Sequence, residues 1–166
     1  MAFTAATWGL LIHILAALWL ASGAFASAVV RAQVKRAGEL RERGAVMRVG
    51  QRLSQVFGIP GAIVVGLSGF YLVTARGFTF STPWVMASII VYALAMVNFF
   101  VIILPRLRAM GLATEASIAA GKPSEEMQRL AGSMKLIGIL ADVNLLLIVL
   151  LVALMVLKPG AAPVVG

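Results

Sequence analysis

His13 is the only histidine of the 166-residue sequence, and Asp142 is the one acid placed deep in an apolar run. Both are residue types that do chemistry. An unpartnered polar group in such a setting is costly, and an ionisable one is a functional candidate by default. An imidazole can hydrogen-bond, carry a proton or ligate a metal, and it is a usual axial ligand of haem iron. Helical spacing puts His13 on one face with Ala17, Leu20, Ala24 and Ser27. Two readings of His13 stand. In one it is a neutral ring hydrogen-bonded to a carbonyl or to a group at similar depth, among them Ser68, Tyr71, Ser88, Tyr92 and Met155. In the other it is the axial ligand of a haem b between helices, with Met155 or an open position opposite. One histidine per chain gives a bis-histidine haem only if two protomers share it.

Asp142 lies about two turns into the last apolar run, with Asn98 and Asn144 at comparable depth. Arg52, Lys135 and Asn98 are its candidate partners. Such a pair either fixes helix register or serves as a proton relay or substrate contact. No second acid extends a proton wire, which argues against a pump. Other chemistry has little to stand on. Zero cysteines exclude disulfides, thiolate zinc and iron–sulfur ligation, so the only metal in prospect is haem iron. The eight methionines form no M-x-x-M cluster, and there is no Ser/His/Asp triad, HExxH or Walker loop. The pattern leans away from an enzyme.

The elements that hold these residues are membrane helices. Hydrophobic residues make up 61% of the chain and charged residues 12%, against about 45–50% and about 25% in soluble domains. Four apolar segments are long enough to cross a bilayer, at about residues 6–30, 53–74, 84–104 and 136–157. The first lacks a basic leader and is followed by Arg31, Lys35 and Arg36, so it reads as a retained span rather than a cleaved signal. The loops at 31–52 and 105–135 carry 12 of the 14 basic residues, leaving Arg76 and Lys158 on the other side. The positive-inside rule then predicts cytoplasmic loops and both termini outside, in a bacterial inner membrane. It also accounts for the net charge of +8 without nucleic acid, with anionic lipid as the basic loops' counterpart.

The expected fold is therefore all-α, a four-transmembrane-helix bundle over residues 1–166 as a single membrane domain. The basic segment 31–52 has few helix breakers, so spans one and two should continue as helices past the bilayer. Ser124, followed by Glu125 and Glu126, reads as an N-cap with acids in the first turn. Lys158 closes span four and is free to snorkel. Small residues let membrane helices approach, so the stripe of Gly58, Ala62, Gly66 and Gly69 is expected against Ala17, Ala21, Ala24 and Ala28. Pro60 and Gly61 predict a local bend.

The stretch "LLIHILAALWLASGAF", with "GLSGFYLV", "TPWVMASIIVYAL" and the closing "LMVLKP", resembles an uncharacterised bacterial family of predicted four-helix integral membrane proteins. In pattern it is similar to the CopD and HemJ-type membrane domains. The resemblance implies a four-helix domain with His13 as its signature polar residue, and a tie to haem. It departs from the HemJ pattern in having no second histidine. The leading expectation is a small membrane protein that binds haem or a porphyrin through His13 in a redox-related role. The rival is a non-catalytic accessory subunit packed against a larger respiratory or photosynthetic complex, or a homo-oligomer.

Overall fold

The computed structural model describes residues 4–160, which are helical with short turns and contain no strand. Four helices are long and apolar enough to cross a membrane: α1 (Ala5–Arg36), α2 (Leu40–Ala75), α3 (Pro83–Ala120) and α5 (Met134–Leu157). A short α4 (Glu125–Ala131) precedes the last. Each predicted span lies inside one of the four. At 36 residues α2 reaches about 54 Å, well past a hydrocarbon core of about 30 Å. The excess lies at the end carrying the basic loops, here the basic end; the opposite end is the terminal end.

Local chemistry sets the helix limits. Thr4 caps α1 by accepting from the Thr7 amide, and Lys35 and Arg36 suit the dipole of its last turn. The α1–α2 turn is tight, with Arg43 Nε donating to the Ala37 carbonyl at 2.9 Å. Gly121, at φ 67°, ends α3 in the left-handed region that glycine enters without strain. Ser124 caps α4 as expected, accepting from the Met127 amide at 3.2 Å. Lys158 follows α5, but its ammonium does not reach freely outward. It sits 5.8 Å from the ring centroids of both Phe78 and Trp84, a cation–π seat.

Both middle helices contain a π-helical stretch, Ser54–Gly58 in α2 and Asn98–Ile103 in α3. Each ends two residues before a proline, Pro60 or Pro105. A proline lacks the amide proton and its ring collides with the carbonyl four residues earlier; a widened turn relieves that collision. The bend expected at Pro60 is thus a π segment, and Pro105 adds a second one.

The core is small: Ala16, Leu20, Ala62, Val65 and Ile148, with Ala17, Ala21 and Ala24 packed beside it. At Gly61 a Cβ would stand 3.1 Å from the Leu20 backbone, so α1 and α2 approach closely there. The glycine stripe of α2 serves two neighbours rather than one. Gly69 faces His13 of α1, whereas Gly58 and Gly66 face Phe99 and Tyr92 of α3. Large apolar side chains such as Leu18, Leu67 and Leu146 point outward, as bilayer-facing residues do.

Candidate functional site

The predicted polar residues fall into two places. Near the terminal end, His13 is buried at 7% exposure between α1, α2 and α5. Its Nδ1 lies 2.9 Å from Ser68 Oγ, and its Nε2 lies 3.4 Å from Met155 Sδ. Ser68 also donates its hydroxyl proton to the Val64 carbonyl one turn back, so the ring meets a hydroxyl on one side and a thioether on the other. Gly69 makes this possible, since a Cβ there would stand 3.2 Å from the ring. Tyr92, another of the expected partners, instead donates to the Ala62 carbonyl at 2.8 Å, and Ser88 donates to Trp84 O.

Nitrogen and sulfur facing each other, with a hydroxyl holding the far ring nitrogen, are donors of the right kind for an iron. The room is not. Bonds of about 2.0 Å to nitrogen and about 2.3 Å to sulfur need a separation of about 4.3 Å, against the 3.4 Å present. The adjoining cavity is about 250 Å³, below the about 300 Å³ at which ligand pockets begin. The small-residue face of α1 is occupied by α2. A haem does not fit at His13 with the helices packed this way.

The second place is a cavity of about 820 Å³ in the basic half of the bundle, bounded by α1, α2, α3 and α5. Both π segments contribute to its wall, through Ser54, Gln55 and Gly58 on α2 and Phe99 and Ile103 on α3. Asn144 and Asp142 line it from α5. Asn98, at the start of the second π segment, donates to the Leu140 carbonyl at 2.8 Å and faces Asn144 Oδ1 at 3.4 Å, while its own Oδ1 is buried without a partner. A stranded acceptor of this sort is uncommon in a packed interior.

The ion pair of Asp142 differs from the expectation. Its partner is Arg31 of α1, not Arg52, Lys135 or Asn98. Arg52 is exposed on α2 and joins no ion pair among the described residues. The reason lies in the helix extensions: α1 continues straight to Arg36 and carries Arg31 beside α5. Asp142 is not a buried acid either, its side chain being 68% exposed on the bare protein along the cavity. The signal sequence reasoning missed was Pro105, which together with Pro60, read there as a bend, places two distorted turns around one space. Among the described residues no cluster of three metal-ligating His, Cys, Asp or Glu exists.

Comparison with known proteins adds the family and no activity. No curated protein and no solved structure matches the chain. The model of a family described as predicted integral membrane protein (DUF2269) matches residues 10–159. With almost its whole length matched, four membrane-length helices and no catalytic motif, the chain belongs to the DUF2269 family of integral membrane proteins.

Proposed function

We propose that the protein is a membrane-embedded binding protein for one amphiphilic small molecule, held in the cavity of the basic half. The single observation that carries this is the cavity itself. Its volume is in the range of about 300–1,000 Å³ typical of small-molecule sites. Two proline-induced π segments wall it, and such segments recur at functional sites. Asn144, Gln51 and Gln55 supply neutral polar groups, and much of the remaining lining is apolar. The role is binding, and the orientation goes with the basic residues: cavity mouth to the cytoplasm of a bacterial cell, termini outside.

Gly138 gives the test. It lines the cavity, and a Cβ added there meets nothing within 4 Å. Gly138→Phe therefore adds a ring at the cavity wall with no clash at its Cβ, taking up part of the space. A cavity ligand at 100 times its Kd stabilises the folded chain by about 2.7 kcal/mol. Thermal unfolding of the purified protein with a panel of amphiphiles should show this for the native chain and not for Gly138→Phe. Equal shifts in both would reject the reading.

A haem at His13 is the second reading, favoured by the facing Nε2 and Met155 Sδ and by the resemblance to HemJ-type domains. It requires α5 to draw back from α1. A visible spectrum of protein taken from its own membranes tests it, a Soret band lost in His13→Ala being the supporting result. The accessory-subunit reading has no such observation, because lipid accounts for the exposed apolar side chains.

A further inference from the structure

The cavity has a polarity gradient along the bundle axis, and the following rests on the binding reading above. On α1 the charged lining residues Arg31 and Lys35 come only after Leu20, Ala24 and Ser27, with Val30 and Val34 beside them, over about 22 Å. On α5 the order is mirrored, from Lys135 at the helix start through Gly138 and Asp142 to Leu145 and Ile148. Arg108 of α3 joins the same rim. Four cations from three helices thus line one cavity, with Asp142 the only acid in its lining among the described residues. Asp142 pairs with Arg31, and among the described residues Lys35, Arg108 and Lys135 join no ion pair. Two of the acids elsewhere at this end are engaged away from the cavity, in Arg48–Glu115 at 2.6 Å and Arg129–Glu126 at 2.9 Å.

Orientation rules alone place basic residues on a side of the membrane; they do not gather them around a space whose depth is apolar. Like charges lining one space repel, and an anion among them relieves the repulsion. We propose that the cavity holds one anionic lipid drawn from the adjoining leaflet. Its phosphate sits among Lys35, Arg108 and Lys135, and an acyl chain lies inward along Leu20 and Ile148. Gln51 and Asn144 are at hand for the glycerol or ester oxygens.

The experiment is native mass spectrometry of the full-length protein in detergent, after exchange with phosphatidylglycerol or phosphatidylcholine of identical acyl chains. The expected result is one retained phosphatidylglycerol per chain. The proposal further expects phosphatidylcholine to be retained on the order of a hundredfold less, since three basic residues each favour the anionic lipid. The triple variant Lys35→Gln, Arg108→Gln, Lys135→Gln, altered only at exposed positions, should hold both lipids equally. Gly138→Phe should hold neither. Equal retention of the two lipids by the native chain, lost in Gly138→Phe, overturns the charge assignment and leaves the cavity as a binding site. A phosphatidylglycerol preference that survives in the triple variant overturns the three named cations as its source. Retention unaffected by Gly138→Phe for both lipids overturns the cavity reading, and this inference with it.

Discussion

His13 is held by its neighbours more than it is exposed to chemistry. Ser68 fixes the ring nitrogen Nδ1, and Gly69 gives the ring its space. Ser68→Ala removes the hydroxyl partner of the buried Nδ1, at a cost of about 1–3 kcal/mol. We expect Ser68→Ala and His13→Ala to be strongly non-additive in detergent-unfolding measurements, the double variant costing little more than His13→Ala alone. The same logic separates the partners of Asp142. Asp142→Asn with Arg31→Gln should couple, whereas Asp142→Asn with Arg52→Gln should add within about 0.5 kcal/mol. Additivity in the first cycle would dissolve the pair. Individual residues were partly legible in the sequence: depth and helical face put Ser68 and Met155 within reach of His13, because both are properties of one helix at a time. The partner of Asp142 was not, since it depends on which basic helix packs beside α5, a property of two helices together.

At the scale of elements, helix type and extent were the readable part. Apolar length gives the spans, Ser124 with two acids gives the start of α4, and the lack of breakers in 31–52 gives the helical extensions. The π segments were only half visible, as a bend at Pro60, because a proline announces a distortion and not its form. They make a prediction of their own. Pro60→Ala and Pro105→Ala restore an amide donor and remove a ring clash, so each should let its helix rewind toward α-geometry. Thermal stability should hold or rise, while the ligand-dependent part of it falls, because the cavity wall has moved. Loss of stability without change in ligand response would show that the π segments serve packing alone. Gly138→Phe belongs at this scale too: removing a mid-helix glycine gains roughly 0.5–1 kcal/mol in an interior turn, so the unliganded variant should be no less stable than the native chain.

For the whole molecule, the small core and outward-facing leucines describe a chain that relies on lipid to cover it, while a sizeable space persists inside its basic half. That space was illegible in the sequence. It arises from the mutual placement of four helices, and the small-residue stripes suggested instead a bundle closed along its length. The stripes do close the half around His13, where α1 and α2 touch, and there the room expected for a macrocycle is filled by a neighbouring helix. Toward the basic end the π segments and a set of basic and amide side chains line the space instead.

The central claim, that this space holds a molecule, is tested most directly by weighing the intact protein as it leaves its own membranes. Native mass spectrometry of the full chain, extracted gently and without added lipid, should show one tightly held small molecule per chain, absent from Gly138→Phe prepared in parallel. The same bare mass for both proteins, or the same adduct on both, would contradict the account.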